Sequence, residues 1–287
     1  MRITLRQRQA ISGYSFIAIW VVGIAVFLLF PLIRNILWSF TDAALNKNID
    51  NPNFIGLANY VEAFVIDARF VPLLLETLRN LAIDAPVILL FSLAVALLSE
   101  QKLPGQGVFR AIFFLPVVIG SAEVVGRLFQ IQGNQLTLFQ GEQVQTFLHI
   151  FLGASTSTFL VFVNRIVFVL WRSGVQIMIF IAGLKGIDPA LYEAAQMDGA
   201  TAWVRFWKVT LPMLFPVLII NVVYTIIDSF TDYFNGVMGY IRDVTFVSQL
   251  RFGYPSALGN IYFVIVFVIV MSIFLVLNRS AFYGGER

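Results

Sequence analysis

Polar side chains recur along one face of a strongly apolar segment in the second half of this 287-residue chain. They fall at positions i, i+3, i+7, i+10 and i+11, which a helix places on one side, and the residues are Asn221, Tyr224, Asp228, Thr231 and Asp232. Amides and carboxylates hydrogen-bond hydroxyl groups, and aromatic faces stack on sugar rings. The face could therefore line a passage for a hydroxylated solute. It could equally fix helix packing through interhelical hydrogen bonds.

Ionisable side chains also lie within or at the edges of other apolar segments. A charge at the centre of a bilayer costs at least about 2.5–3.5 kcal/mol, so such groups usually face a partner helix or a wet cavity. Four are acidic and three are basic, which permits mutual pairing: Asp84, Glu123, Arg127, Arg165, Arg172, Asp228 and Asp232. For Arg165, and for Glu123 with Arg127 at i, i+4, we favour structural pairing over a role in a passage.

Two further polar faces accompany the first. One consists of Arg165, Arg172 and Gln176 with Trp171 beside it, and the other of Thr77, Asn80 and Asp84. We expect the three faces to converge on a polar path that opens to the outside.

The composition identifies an integral membrane protein, because 59% of the residues are hydrophobic and only 12% are charged. Soluble domains are typically about 25% charged. The chain has no cysteine and one histidine, His149, so a thiolate or histidine metal cluster is excluded. It contains no Walker A, GxSxG or HExxH pattern. We therefore predict no catalytic residues, no metal and no cofactor bound by this chain.

Six apolar runs are long enough to cross a bilayer as helices. We predict an all-α fold with six spans, at residues 15–33, 76–99, 107–131, 159–184, 211–231 and 257–277. The segments on the side of both termini hold ten Lys and Arg residues, whereas the opposite and longer loops hold five. The positive-inside rule then places both termini in the cytoplasm. Topology thus explains the net charge of +3, and no nucleic-acid partner is implied.

The loop between the fourth and fifth spans, residues 188–212, is too polar to be a further span. Asp188 suits an N-cap and Pro189 the first helical position, where its missing N–H costs nothing. Gly199 interrupts the helix, and a second short helix is predicted from Thr201 to Lys208. We predict a cytoplasmic helix–turn–helix.

This loop resembles the EAA loop of ABC importer membrane subunits, in the version of the carbohydrate-uptake, maltose-permease type. The matching residues are Glu193-Ala194-Ala195, Asp198-Gly199-Ala200, Phe206, Val209 and Leu211-Pro212. In that family the loop forms the coupling helix, which docks on a cytoplasmic ATPase. The resemblance implies an ATPase-coupling role for Tyr192, Glu193, Ala194, Ala195, Asp198, Gly199 and Ala200.

Two other segments support the resemblance. Residues 54–60, Phe-Ile-Gly-Leu-Ala-Asn-Tyr, resemble a segment that follows the first span in the same family, and Arg110 with 113–116 resembles the entry to its third span. Residues 54–60 can also be interpreted as an external loop whose aromatic patch rests on the lipid headgroups. The two interpretations are compatible.

The resemblance also implies substrate-passage residues. Ser121, Trp171, Ser173 and Gln176 match positions that line the substrate site in the maltose-permease type, and Tyr224, Asp228, Thr231 and Asp232 come from the fifth-span face. The family pattern T-x-G-G-P after the fifth span is absent, and residues 235–240 read Asn-Gly-Val-Met-Gly-Tyr instead. This departure leaves the solute open.

The resemblance implies the type I permease fold of a bacterial inner-membrane importer. Residues 1–75 would hold the N-terminus, the first span and an external loop, and residues 76–280 would form a five-helix permease core. The implied partners are a second homologous permease subunit, two ATPase subunits that bind ATP and Mg, a solute-binding protein and a carbohydrate-like solute. The chain itself would not be an enzyme.

Two alternatives stay open on the residues alone. An ion-coupled secondary transporter would use the intramembrane carboxylates, but it assigns no role to Glu193–Gly199. A membrane-embedded enzyme acting on lipid-linked sugars would need a reactive cluster at one membrane face, whereas the carboxylates are scattered over several spans. ATP-dependent transport with a co-purifying ATPase would distinguish the three.

Overall fold

A computed structural model of the chain describes residues 5–45, 49, 51–100, 169–232 and 235–283, with short groups and single residues between 107 and 166. The third predicted span lies outside this part apart from Gly107, as do Ser121, Glu123 and Arg127. Most of the described residues are helical, and the only β pairing among them consists of two isolated bridges, Thr41 with Phe54 and Ala44 with Arg251. The predicted all-α fold is confirmed.

The helices follow the apolar runs of the sequence. In chain order they are α1 (Leu5–Ile24), α2 (Phe30–Trp38), α3 (Ala58–Val61), α4 (Phe70–Glu100), α5 (Gly174–Lys185), α6 (Pro189–Met197), α7 (Ala202–Arg205), α8 (Leu211–Thr231), α9 (Gly236–Asp243) and α10 (Gly253–Tyr283). Wider π turns continue four of them, at Ala25–Leu29, Glu62–Ile66, Phe206–Thr210 and Val244–Ser248.

Within the described part, four helical stretches are long and apolar enough to cross a membrane: Gly13–Trp38, Phe70–Glu100, Ala202–Ser248 and Gly253–Leu277. They contain the predicted first, second, fifth and sixth spans. The helices are longer than the apolar runs because local hydrogen bonds, which hydropathy does not register, set their ends. The Asp67 carboxylate, for example, accepts the backbone N–H groups of Arg69 at 2.7 Å and Phe70 at 3.4 Å at the start of α4.

The fourth predicted span is described at its C-terminal end, as α5. A bend of 64° separates α5 from α6, and the pair could also be counted as one broken span. The bend falls at the boundary that the sequence predicts, since Asp188 has an extended ψ of 124° and caps α6.

Helices α4, α5 and α8 pack together around an apolar cluster. Its buried members are Val95, Ala96, Ile177, Phe180 and Ile181, with Val217 and Leu218 of α8 against it. Gly183 lets α5 and α8 approach closely, because a Cβ atom there would lie 2.8 Å from a methyl group of Val217. Stiff, β-branched Val217 could not move aside easily.

The contacts divide the chain into two compact units. The first unit comprises residues 1–74 and 239–265, and the second comprises 75–238 and 266–287. Ala63, Phe70, Val244, Tyr254 and Leu258 are buried in the first unit, and the α4–α5–α8 cluster is the core of the second. The sequence-based division at residues 75 and 76 stays a prediction.

Candidate functional site

The first helix of the 188–212 loop begins as its sequence predicts. The Asp188 side chain accepts the backbone N–H of Ala190 at 2.9 Å, and Pro189 occupies the first helical position. The side chain thus satisfies one of the donors that a helix start leaves without a partner. The helix then runs from Pro189 to Met197.

The turn at Gly199 ends this helix. Gly199 has a φ of +76°, in the left-handed region, and the N–H of Ala200 bonds to the carbonyl of Ala195 at 2.9 Å. No atom would obstruct a Cβ at Gly199, so the glycine is required by its backbone angle and not by space. The predicted interruption at Gly199 is confirmed.

One side of the loop is fastened to the protein, and the other is open. The Tyr192 hydroxyl lies 3.1 Å from the Thr210 hydroxyl, which joins α6 to the turn that precedes α8. Ala195 and Ala200 are half-buried. Exposed on the open side are Leu191, Glu193, Ala194, Met197, Asp198 and Gly199. A partner could therefore contact most of the predicted coupling residues without unfolding the loop.

The second short helix differs from its prediction. Thr201 caps it by accepting the N–H of Val204 at 3.4 Å, but the helical backbone does not stop at Lys208. It continues through the π turn Phe206–Thr210 directly into α8. Pro212 lacks the N–H that would bond the carbonyl of Lys208, and the wider turn lies immediately before this proline.

Arg172, two residues before α5, contacts the C-terminal end of α8. The Arg172 guanidinium lies 3.3 Å from a carboxylate oxygen of Asp228, 3.4 Å from one of Asp232 and 3.1 Å from the Ser229 hydroxyl. The Arg172 side chain is 9% exposed, whereas those of Asp228 and Asp232 are 35% and 19% exposed. Two carboxylates against one guanidinium give this cluster a net charge of −1, and its carboxylates are the more accessible part.

A second polar contact joins the same helices. Asn221 donates from its amide nitrogen to the backbone carbonyl of Gln176 at 3.0 Å, and both side chains are fully buried. The amide nitrogen and oxygen of Gln176 and the amide oxygen of Asn221 make no hydrogen bond within the described part of the chain. Buried amide groups usually bind a protein group, a water or a ligand. These three atoms are therefore available to a water, a solute or a partner helix.

The predicted passage residues take different positions. The structure brings Asp228 and Asp232 together around Arg172, and Gln176 lies against Asn221. Trp171 is exposed and Tyr224 is half-buried.

Two predicted passage residues have local hydrogen bonds. The Ser173 hydroxyl is buried and donates to the carbonyl of Val169. Thr231 is exposed and donates to the carbonyl of Ile227 at 2.9 Å, on its own helix.

Asp84 of α4 pairs with Arg165 at 2.5 Å. The prediction that Arg165 pairs with a carboxylate is confirmed, and the preference for a structural role stays a prediction. Asp84, Asp228 and Asp232 therefore each lie beside an arginine.

The first unit contains a polar cluster that the sequence did not reveal. The Asp67 carboxylate accepts hydrogen bonds from Tyr240, at 2.7 Å, and from Tyr254. Glu62 forms two hydrogen bonds with Arg251, at 2.7 and 2.8 Å, and Arg251 lies over the Tyr254 ring. These partners are 173 to 189 residues apart, and no periodicity or motif connects them.

The hydrogen bonds outweigh burial at Asp67. Burial alone would raise the pKa of this carboxyl, but the hydrogen bonds from Tyr254, Tyr240 and the backbone N–H groups of Arg69 and Phe70 together hold the pKa below its ordinary value. Asp67 is therefore ionised at neutral pH, and its charge helps to fasten residues 62–70 to residues 240–254.

Comparison with known proteins gives a family and a fold. The family model described as "Binding-protein-dependent transport system inner membrane component" matches residues 57–283. The probable ABC transporter permease protein YesP of Bacillus subtilis is 28% identical across 98% of this chain and 95% of its own. The lactose transport system permease protein LacF of Rhizobium radiobacter is 27% identical, and the alignment covers 94% and 95%.

The trehalose/maltose transport system permease protein MalF of Thermococcus litoralis is 28% identical over 95% of this chain and 94% of its own. Among solved structures, a bacterial ABC transporter involved in the import of the acidic polysaccharide alginate matches with a TM-score of 0.70. It covers 95% of this chain and 96% of its own, at 20% identity. The fold is thus that of an ABC importer permease, as the resemblance implied. The chain belongs to the family of inner-membrane components of binding-protein-dependent transport systems.

Proposed function

We propose that this chain is a permease subunit of an ATP-driven importer for a carbohydrate or a carbohydrate-like solute. One observation carries the proposal: relatives aligned over nearly the whole chain are named as lactose, arabinooligosaccharide and trehalose/maltose permeases. The polar contacts between α5 and α8 suit such a solute, because they offer amide and carboxylate groups to hydroxyls. Oligosaccharides, disaccharides and glycosylated osmolytes all fit this chemistry.

The 188–212 loop would couple the permease to ATP hydrolysis. Its open side presents Leu191, Glu193 and Met197, while the Tyr192–Thr210 contact joins it to α8. An ATPase that binds this side in one nucleotide state more tightly than in another would displace α8 through that contact. The difference in binding free energy between the two states then drives the conformational change.

The cluster around Arg172 would form part of the substrate passage. Arg172 holds Asp228 and Asp232 in place, and their partly exposed oxygens can accept hydrogen bonds from solute hydroxyls. Gln176 and Asn221 are fully buried in this conformation. Their unpaired amide atoms would meet solute or water only after α5 and α8 separate, as alternating access requires.

The subunit would work with partners of the kinds that the family's name and its solved relatives imply. A similar permease with a TM-score of 0.64 was solved with an alginate-bound periplasmic protein. By analogy, an extracytoplasmic binding protein would deliver the solute here. A second permease subunit would complete the passage, and two cytoplasmic ATPases would bind ATP and Mg. Both termini would be cytoplasmic.

The arginine pairs weigh against an ion-coupled transporter. A neighbouring guanidinium disfavours the binding of a proton or a sodium ion to a carboxylate, and Asp84, Asp228 and Asp232 each lie beside an arginine. The relatives YesP and LacF are likewise named as transporter permeases and not as enzymes.

Reconstituted transport tests the proposal. The chain would be purified with its co-purifying subunits and placed in proteoliposomes with a radiolabelled disaccharide and the binding protein outside. We expect uptake only with ATP on the side of the coupling loop, and no response to a proton or sodium gradient. Uptake that follows an ion gradient without ATP would refute the importer assignment. ATP-driven uptake of an amino acid, but of no carbohydrate, would refute the substrate class alone.

A further inference from the structure

The short helix in front of α4 has an unusual surface. Six residues between Leu57 and Ile66 are exposed, and all six are apolar: Leu57, Ala58, Val61, Phe64, Val65 and Ile66. Val65 and Ile66 are 78% and 72% exposed, and Phe54 just before the helix is 78% exposed. A contiguous exposed apolar surface of this kind marks a contact with a membrane or with another protein.

The opposite side of the helix is polar and firmly attached. Asn59 is 1% exposed and donates to the backbone carbonyls of Ser39 and Thr41, each at 2.9 Å. Glu62 binds Arg251, and Ala63 is fully buried. The attached side fixes the rotation of the helix. The apolar side therefore cannot turn inwards and must be covered by something outside the described part of the chain or by lipid.

The ends of two spans fix where this helix lies. The first span ends at Trp38, and α4 begins at Phe70, four residues after Ile66. Even a fully extended chain covers only about 14 Å over four residues. The helix therefore lies close to the membrane surface. The span that precedes it is exposed within the chain along its whole apolar window, so a lipid-facing surface leads up to the helix.

Neighbouring aromatic residues also indicate a position at the membrane surface. The Arg34 guanidinium lies over the Trp38 ring at 4.6 Å, and Trp38 contacts Phe252. Tryptophan and arginine are side chains that span the boundary between acyl chains and headgroups. The end of the first span thus carries side chains typical of the membrane interface. The bridge between Thr41 and Phe54 then brings the start of the short helix next to this end.

We propose that residues 58–66, with the turn that precedes them, form an interfacial helix that lies half-immersed in the bilayer surface, with Leu57, Val61, Phe64 and Val65 in contact with lipid. Its polar side holds residues 240–254 at the membrane surface through the Glu62–Arg251 and Asp67–Tyr240 contacts. Such a helix would keep this end of the first unit at a constant depth while the rest of the permease moves. The immersion goes beyond the proposed transport function and depends on no substrate. Only its assignment to the outer leaflet rests on the proposed topology.

Site-directed spin labelling tests the immersion on the whole transporter. The chain has no cysteine, so a single nitroxide can be attached at Val65→Cys, with Asn51→Cys, an exposed polar position in the same unit, as the matched control. In lipid nanodiscs without binding protein, we expect the Val65 label to collide more often with oxygen than with a water-soluble nickel chelate. The Asn51 label should show the opposite order. Leu57→Cys and Val61→Cys repeat the test should Val65→Cys fold poorly.

Each other outcome overturns the proposal. A Val65 label that collides mainly with the nickel chelate would lie in water. Protection that develops only when the solute-binding protein is added would identify a protein-docking face instead. Protection from both reagents in the bare nanodisc would mean that the second permease subunit covers the helix. Because neither ATP nor solute is present, none of these results depends on whether the transporter carries a carbohydrate.

Discussion

Asp228 is the residue at which solute binding and helix packing can be separated. It is the most exposed member of the cluster around Arg172, and Asp232 remains beside the guanidinium when Asp228 changes. We expect Asp228→Asn to insert and assemble normally but to raise the half-saturation concentration for uptake. Losing one hydrogen bond to a neutral solute costs about 0.5–1.5 kcal/mol, which corresponds to about two- to tenfold.

Ser248→Ala is the control, because Ser248 is exposed, lies outside the predicted passage and donates to the backbone carbonyl of nearby Asp243 at 3.3 Å. Its half-saturation concentration should stay within about twofold of the wild-type value. Should Asp228→Asn lower the yield of assembled transporter and leave the kinetics of the remainder unchanged, the cluster would serve packing alone.

The stability of the first unit should depend on pH through Asp67. Its pKa in the folded protein lies below the ordinary value of 3.8, so its hydrogen bonds stabilise the fold fully above that pH and are lost as the pH falls through the lower value. We expect Asp67→Asn to lower the unfolding temperature at about pH 6. The difference from wild type should become smaller as the pH falls from 3.8 towards about 3, where protonation of the carboxyl begins to remove the contribution of its charge.

Scanning calorimetry or nanoscale fluorimetry of the detergent-solubilised transporter measures this difference. Asp188→Asn is a useful comparison, since asparagine also caps helices well and Asp188 lies in the second unit. An Asp67→Asn deficit that persists unchanged at about pH 3 would mean that shape and not charge matters at this position.

At the scale of elements, the turn at Gly199 determines how the coupling loop is presented. Its φ of +76° is unfavourable for a β-branched residue, although there is room for a side chain. We expect Gly199→Val to retain membrane insertion and assembly, and to reduce both uptake and binding-protein-stimulated ATP hydrolysis at least tenfold. Gly199→Asn tolerates the left-handed region better and should keep much of the activity. If Gly199→Val were as active as the wild type, this loop would have no part in coupling.

The elements were predictable wherever a local rule determined them. The cap at Asp188, the break at Gly199 and the apolar runs all follow from short-range chemistry, and the structure agrees at each. The continuation of α7 into α8 was not predicted, because Pro212 lacks a backbone N–H and usually marks the start of a new helix. In the structure the helical backbone continues through the π turn Phe206–Thr210. The start of α4 at Phe70 depends on the Asp67 side chain, which hydropathy ignores.

Contacts between distant parts of the chain were beyond sequence reasoning. The spacing on α8 correctly put Asp228 and Asp232 on one face, but only the fold shows that Arg172 lies between them and that Ser229 joins them. Asp67, Tyr240 and Tyr254 form no pattern within a helical window. Such contacts form only when the chain folds, so a periodicity within one segment of the sequence cannot predict them.

At the scale of the whole molecule, the balance of basic residues predicts which way the permease faces. Ten Lys and Arg residues lie in the segments on the side of the termini and five on the other side. The coupling loop is on the richer side, which the positive-inside rule assigns to the cytoplasm. The interfacial helix proposed above would then lie in the outer leaflet, on the side from which a solute-binding protein delivers its cargo.

Single cysteines test this orientation in intact cells. Asn51 and Ala202 are both exposed, and the native chain offers no competing thiol. We expect Asn51→Cys to react with a membrane-impermeant maleimide added outside, and Ala202→Cys to react only after the cells are permeabilised and denatured, which also removes any bound ATPase. The denatured sample gives the total amount of thiol for each variant. Labelling of Ala202→Cys from outside, with Asn51→Cys protected, would reverse the topology and place the coupling loop where no cytoplasmic ATPase could reach it.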